Sequence, residues 1–469
     1  MKSTPRGVRD LLPDLARRRT QLVRKIQQGF EARGFMRVVT PTFEFYESLK
    51  PGLGPYLQDE AFRLLDADGQ LLTLRPDMTA PIARLVAHQM KGQAQNLKIY
   101  YSGTVFRRKY RQHELYQAGI EYIGASSAAA DVMVLQTLDA ALQKTGLRDY
   151  IIDIGEVSRN RAPRPLAYLK RLRRLLAKTS LKNRIRFNAG PAKDIGYYSG
   201  LAFEIITPHY GYALASGGRY DQLLAAYGDS RPAVGGALHI DHLMAALEQQ
   251  KQSSARRLIT VALPKGHLLN KTIQLFARAG VALDAEPVSD RKLSFTDRSG
   301  RIRFVVIRPA DVPVYVEHGA ADLGVVGKDV LNESLPALAE LLDLKFGYCR
   351  LVVAAPKKKK LSLAKLRHHL RVATKFTRCA EKYFLDRGFK PEIIKLYGSV
   401  ELGPMLGLSD VMVDLVETGA TLKENGMEII AEIFPSTARL VANTVFLRSR
   451  REQLKPLLQA IERITEQNE

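Results

Sequence analysis

The chain contains no tryptophan and only two cysteines, Cys349 and Cys379, in 469 residues. Two cysteines exclude a disulfide framework and suit a reducing compartment. No Cys/His cluster stands at metal-ligand spacing, so no structural zinc site is expected and no protein-held metal is assigned. No apolar run approaches the roughly 18 residues of a membrane span, and no membrane partner is expected. The opening stretch MKSTPRGVRDLLP lacks the apolar region of a signal peptide, so the expected location is cytoplasmic. Acidic residues are also in deficit: 71 Lys and Arg face 48 Asp and Glu, a formal net charge of +23. That balance admits nucleic acid or polyanionic small molecules. The basic residues are scattered, however, as at Arg17–Arg19, Lys170–Arg174 and Lys357–Lys360, with no aromatic interleaving. A solvated basic face explains them as well as a nucleic-acid site does.

What is present divides into two textures. Leu11 to Arg33 has apolar residues at Leu15, Leu22, Val23, Ile26 and Phe30, which predicts an amphipathic helix ended by Gly34. Met36–Phe45 and Gln70–Leu74 read as strands. Leu97–Arg107 and Leu115–Ile123 read as an antiparallel pair, Ala130–Thr145 as a helix and Ala202–Ile206 as a strand. Ala213–Tyr220 reads as strand, glycine turn and helix, and Val234–Leu247 closes in a helix. Together they predict an antiparallel α+β domain over 1–247. Residues 248–257, EQQKQSSARR, are polar and read as a linker. From Leu258 short apolar strands alternate with helical segments, as at Leu258–Leu263, Phe304–Ile307, Leu323–Val326, Leu351–Ala354 and Val411–Val416. This predicts an α/β domain over 258–469.

The most informative stretch is Ser409–Glu424. An apolar run, Val411–Val416, reads as a buried strand of a parallel sheet and breaks at Glu417-Thr418-Gly419-Ala420-Thr421 before a helix from Leu422. Strand, Gly/Thr turn and helix N-terminus make an anion cup of amides and two hydroxyls. Asp414 and Glu417 beside it suit sugar hydroxyls. Phosphate and acids side by side suggest a ribose phosphate, with phosphoribosyl diphosphate the ligand of that shape. Alone, a Thr-Gly-x-Thr turn is slightly more often an ordinary strand-to-helix turn with an N-cap Thr than a ligand site.

More motifs accompany it in order: Ala262-Leu263-Pro264-Lys265-Gly266, Asp311-Val312-Pro313, His318-Gly319-Ala320-Ala321-Asp322-Leu323-Gly324, Gly327-Lys328-Asp329, Arg371-Val372-Ala373-Thr374-Lys375 and Gly398-Ser399-Val400-Glu401. With this set, the half from Arg257 resembles short-form ATP phosphoribosyltransferase. The resemblance implies two α/β lobes like a periplasmic-binding protein, lobe I over about 258–345 plus 441–469 and lobe II over about 346–440. It implies that N1 of the ATP adenine displaces diphosphate from phosphoribosyl diphosphate, with substrate-bound Mg²⁺. It places Asp414 and Glu417–Thr421 on the phosphoribosyl group, Lys265 and Gly266 on diphosphate or ATP phosphates, and Arg308, Asp322 and Gly324 along the opposing wall. His267 stands where the family usually has Arg, so a permanent cation of the family is not matched there.

The N-terminal half carries Arg6–Pro13, Leu74–Pro81, Tyr101–Arg107, Gln117–Glu121, Gly196–Gly200 and Ser216–Asp221. On these it resembles the histidyl-tRNA synthetase catalytic core, a class II synthetase fold, and more closely its paralogue, the regulatory subunit of ATP phosphoribosyltransferase. Arg107 is kept, but the loop Arg108–Glu114 is shortened. Lys193 and His242 stand where synthetases have arginines, and neither copies bidentate guanidinium binding. The resemblance therefore implies lost aminoacylation, and tRNA is not an expected partner. Asp77, Thr79, Gln117, Glu121, Tyr197 and Tyr198 match positions that hold histidine in the relatives. The chain is thus expected to be a fused, histidine-regulated ATP phosphoribosyltransferase and a homo-oligomer. Two other classes fit the composition: a tRNA-directed or histidine-activating protein, which would show ATP–diphosphate exchange, and a two-lobed ligand-binding protein without catalysis.

Overall fold

The amphipathic segment near the start forms the helix Pro13–Glu31, with its proline at the first turn and Leu22, Val23, Ile26 and Phe30 on the buried face. The structure, a computed structural model, describes residues 4–93, 95–109, 112–156, 166–191, 197–252, 258–283, 293–362, 366 and 369–467. The chain separates into two units, Met1–Arg256 and Arg257–Glu469.

The first unit is built on an eight-stranded sheet. Its order is Met36–Arg37, Leu97–Phe106, Glu114–Ile123, Ala233–His239, Tyr210–Arg219, Leu201–Thr207, Ile151–Glu156, Ile185–Pro191. The strands are antiparallel except for the outermost pair at each edge. One face carries the helices Pro13–Glu31 and Ala128–Thr145, which close on each other so tightly that a Cβ at Gly29 would lie 3.1 Å from Ala141 Cα. Ile26, Phe30, Leu138 and Ile120 belong to the core beneath them. The second face is covered by the helix Thr79–Gln89 and by Tyr197, Tyr198 and Tyr220.

Five expectations need correction. Ala213–Tyr220 does not turn into a helix: the strand Tyr210–Arg219 runs on through its glycines. The glycines serve close approach instead, since a Cβ at Gly217 would lie 2.4 Å from Gly235 O. Met36–Phe45 is not one strand; it splits at Pro41 into Met36–Arg37 and Phe43–Phe45, which join different sheets. The expected linker is partly helical, because Ile240–Gln252 continues over 248–252, where Glu, Gln and Lys are good helix formers and no Gly or Pro intervenes. Residues 253–257 of that stretch, and Lys193 and Gly196 of the synthetase motifs, lie outside the described residues. The other two corrections concern the second unit.

The described residues of that unit form two sheets. The six-stranded one runs Ser294–Thr296, Ile302–Ile307, Ile259–Pro264, Leu323–Gly327, Ala438–Ala442, Ala339–Asp343. The five-stranded one runs Lys390–Lys395, His369–Thr374, Val411–Val416, Cys349–Pro356, Met427–Ser436. The chain crosses to the second sheet before Cys349 and returns after Ser436, so Ala438–Leu440 belong to the first lobe and not the second. The apolar run Leu323-Gly324-Val325-Val326 is buried throughout, as a central strand covered on both faces must be. Val411–Val416 is parallel to His369–Thr374 on one side but antiparallel to Cys349–Pro356 on the other, so its sheet is mixed.

Candidate functional sites

In the first unit, strand alternation sends Gln117, Gly119 and Glu121 to one face of Glu114–Ile123. Gly235 lies directly across from Glu121, and a Cβ there would fall 1.6 Å from Glu121 Oε2. The missing side chain makes the room that the carboxylate fills. Thr79 Oγ1 donates to Glu121 Oε1 at 2.9 Å, and the Tyr220 hydroxyl donates to Oε2. Asp77 ends the turn into the helix Thr79–Gln89; its Oδ1 accepts from Ala80 N at 3.3 Å and its Oδ2 from the Tyr197 hydroxyl at 3.0 Å. The Tyr197 ring meets Tyr198 and Tyr220 edge-on, with centroids 5.2 and 5.9 Å away. Gln117 is buried on the same face, opposite Gly103.

Five of the six sequence-assigned residues, Asp77, Thr79, Glu121, Tyr197 and Tyr198, are thus joined by these contacts, and Gln117 shares their sheet face. Tyr220 and Tyr101 complete the group and carried no assigned role; the signal for Tyr101 was its place opposite Gly119 in the antiparallel register. Glu121 and Asp77 are 1% and 5% exposed. Their bonds come from hydroxyls and one amide, not from an ion pair among the described residues. Burial pushes the Glu121 carboxyl up to about 8, against the lowering pull of the Tyr220 and Thr79 bonds, with the Asp77 charge adding to the rise. Burial raises Asp77 also. Two buried acids without a bonded cation suit a cationic guest, and the tyrosine rings suit a flat one.

In the second unit, three parallel strands, Ile302–Ile307, Ile259–Pro264 and Leu323–Gly327, end together. Lys265 and Arg308 follow the paired residues Pro264 and Ile307, both are exposed, and Lys265 N donates to Ile307 O at 2.7 Å. Gly266, at φ +95°, starts the helix His267–Arg278, and only glycine takes that angle without strain. These residues form one group at the C-terminal sheet edge, where open α/β sheets hold ligands.

Asp322 does not join them. It precedes its strand, at the opposite end of the sheet, wholly buried; it accepts from Thr260 N at 2.7 Å and from Arg450 Nη1 at 2.7 Å. Gly324 is likewise internal: a Cβ would lie 2.7 Å from Val316 Cγ2 and 2.8 Å from Val312 Cγ1, so the position admits the helix Val312–Glu317. Neither reaches the C-terminal edge; the Asp-Leu-Gly motif is explained by an ion pair and by packing.

In the other lobe, Val411–Val416 delivers Asp414 half-buried and then the exposed Glu417, Thr418, Ala420 and Thr421. Gly419, at φ +80°, caps the five-residue helix Ala420–Glu424, and Ala420 N donates to Thr418 Oγ1 at 3.4 Å. The helix begins two residues earlier than expected. It is too short for a full macrodipole, which leaves the exposed Thr418 and Thr421 hydroxyls and the turn's N–H groups as the available donors. Asp414 Oδ1 accepts from Leu415 N at 2.8 Å and pairs with Lys375 Nζ at 3.4 Å. Among the described residues no group of three His, Cys, Asp or Glu side chains is placed to hold a metal ion.

Residues 308–463 match the ATP phosphoribosyltransferase family. The ATP phosphoribosyltransferase of Caldanaerobacter subterraneus subsp. tengcongensis is 50% identical over 201 residues, which are 43% of this chain and 94% of that protein. That of Microcystis aeruginosa is 49% identical over 199 residues, 42% of this chain and 92% of that protein. The chain belongs to the ATP phosphoribosyltransferase family. It is a pentosyltransferase of that kind, and less than half of it covers nearly the whole of these relatives. Residues 7–162 and 157–243 match the histidyl-tRNA synthetase family, so half of the chain has that origin. A solved regulatory subunit/histidyl-tRNA synthetase from Bacillus halodurans is 25% identical, with a TM-score of 0.49 over 66% of this chain and 93% of that one. By its family matches and its sheets, the chain is a class II synthetase-like antiparallel domain followed by a two-lobed α/β transferase domain.

Proposed function

We propose that the chain joins ATP to phosphoribosyl diphosphate at the two sheet edges of its transferase half, and that its synthetase-like half senses histidine. The reaction is the first step of histidine biosynthesis. The observation that carries the first part is the exposed Glu417–Thr421 turn at the end of a buried strand, with Asp414 at its root. The turn's amides and hydroxyls receive the 5′-phosphate, and Asp414 and Glu417 accept from ribose hydroxyls. Lys265 and Arg308 present cations to diphosphate or to the ATP phosphates. N1 of adenine is already a nucleophile, so no proton-transfer residue is required. The transition state gathers positive charge on the sugar and negative charge on diphosphate, so positioning and charge neutralisation do the work. Mg²⁺ enters as the counter-ion of the diphosphate, carried on the substrate.

The regulatory part rests on Glu121 and Asp77, buried acids that a histidine ammonium would compensate, among rings that would flank an imidazole. His242 supports the absence of aminoacylation. Its Nδ1 donates to Ala213 O at 2.8 Å, and its ring packs at 5.3 Å from Tyr212 and 5.5 Å from His239, so it is engaged within the fold. Exposed apolar side chains support a homo-oligomer: Met36, Val39, Phe43, Phe45 and Leu65 are all more than half exposed on the first unit.

The test is product formation from ATP, phosphoribosyl diphosphate and Mg²⁺, followed by chromatography with and without histidine. Phosphoribosyl-ATP that falls with added histidine is expected. No product, together with salt-sensitive tRNA binding or histidine-dependent ATP–diphosphate exchange, would replace this reading with the synthetase-derived one.

A further inference from the structure

The turn between the strand His369–Thr374 and the helix Thr377–Leu385 carries a cation that the reaction above leaves unused. The strand is parallel to Val411–Val416, with Thr374 opposite Val413, so Lys375 comes level with Asp414. Lys375 Nζ stands 3.4 Å from Asp414 Oδ1. The turn is tied to the strand that bears Asp414. Wholly buried Thr374 donates its hydroxyl to Val413 O at 2.7 Å and accepts from Phe376 N at 2.8 Å. The ammonium lies 5.0 Å from the Phe376 ring centre. The following helix is fixed from the first lobe, where Glu333 accepts from Thr377 Oγ1 at 3.1 Å and from Arg378 N and Cys379 N at 3.0 Å each.

A half-exposed ion pair of this kind adds little to stability, so the rigid mounting serves something else. The charge balance of the turn says what. Asp414 and Glu417 put two negative charges beside a cup meant for phosphate, and they would repel their own ligand without a cation. Arg350, on the neighbouring strand opposite Val416, is engaged with Glu432 at 3.1 Å. Lys375 is the cation already in contact with Asp414.

We propose that Lys375 is a substrate-binding residue of the ribose-phosphate site. Its ammonium holds Asp414 while the site is empty and takes an anionic oxygen of phosphoribosyl diphosphate when the site fills. Asp414 is then free to receive the ribose hydroxyls. The proposal rests on the reading of Asp414–Thr421 as the phosphoribosyl cradle.

The experiment compares the full chain with Lys375→Ala, Lys375→Arg and the control Lys423→Ala, which removes a cation from the exposed last turn of Ala420–Glu424. Calorimetric binding of phosphoribosyl diphosphate and of ribose 5-phosphate is measured alongside KM for each substrate. Lys375→Ala is expected to weaken phosphoribosyl diphosphate at least tenfold in both KM and Kd and to leave KM for ATP within twofold. Lys375→Arg, which keeps charge and thermal melt, is expected to recover most of the loss. Unchanged binding in Lys375→Ala, an equal loss in Lys423→Ala, or a loss that falls on ATP would each overturn the proposal. If the wild type binds phosphoribosyl diphosphate but makes no phosphoribosyl-ATP, the transferase reading fails, while weaker binding by Lys375→Ala still upholds the lysine.

Discussion

Replacing Glu121 by glutamine keeps the side chain's shape and removes its titration: the single amide oxygen accepts from one of the two hydroxyls, Thr79 or Tyr220, and the amide N–H donates to the other. With the carboxyl pushed up to about 8 by burial, it is protonated at neutral pH in the empty pocket. A ligand ammonium needs the ionised form, so binding must expel a proton. A single group at that value is about 90% protonated at pH 7, which predicts release of roughly 0.9 proton per histidine bound there. Apparent affinity should rise from pH 7 to pH 8.5, by less than the roughly eightfold that Glu121 alone gives because the ligand ammonium begins to titrate there; the window lies above the usual imidazole value near 6.5, so the ligand ring contributes little. Titration calorimetry in two buffers of different ionisation enthalpy counts the protons directly. Glu121→Gln should bind more weakly at neutral pH, with no proton release and no rise in affinity over the same window. The groups facing Glu121, namely Thr79, Tyr101, Tyr220 and the Asp77 charge, are unaltered in the variant. The linkage has a second arm. The folded value lies above the ordinary 4.5, so the stability Glu121 contributes is complete below pH 4.5 and is lost as pH rises through about 8. The shift caps that loss at about 5 kcal/mol, and the variant should not show it. Wild-type binding with no proton release, independent of pH, would refute the argument and place the effector elsewhere.

Three further outcomes follow. Thr418→Ala combined with Thr421→Ala should weaken phosphoribosyl diphosphate at least tenfold, since hydroxyl bonds to a charged acceptor are worth about 1.5–3 kcal/mol each, while ATP binding holds; equal Kd values would misplace the cradle. Asp322→Ala should lower the melting temperature, because it strands buried Arg450 at a cost of about 3–5 kcal/mol, and the temperature dependence of unfolding checks this; a stable but inactive variant would restore a chemical role to Asp322. Phe43→Glu should shift the oligomer toward smaller species in light scattering, and an unchanged mass would move the interface away from that surface.

The sequence was most legible where periodicity and burial coincide. Val411-Met412-Val413 and Leu323-Gly324-Val325-Val326 are apolar because both sheet faces are covered there, and no other element suits such short runs. It misled where a residue type has two uses. Gly217 and Gly218 read as a turn because glycine often marks one, yet here the missing Cβ lets neighbouring strands and rings close in. Asp322 read as a site residue because a motif carried it, while its burial and its pairing with distant Arg450 are set by tertiary contacts. Lys375 was quoted within a motif and given no role, because its neighbour Asp414 lies on a different strand and only sheet pairing brings the two together.

The return of the chain at Ala438–Ala442 has a consequence for synthesis. In the six-stranded sheet this strand lies between Leu323–Gly327 and Ala339–Asp343, and among the described residues the latter pairs with it alone. As the ribosome extrudes the chain, Ala339–Asp343 therefore waits for nearly a hundred residues, on the order of 5–20 s at typical elongation rates, before its partner exists. The inserted lobe can close first. Any nascent chain stalled before residue 438 would display an unzipped sheet edge, the kind of surface chaperones are expected to shield.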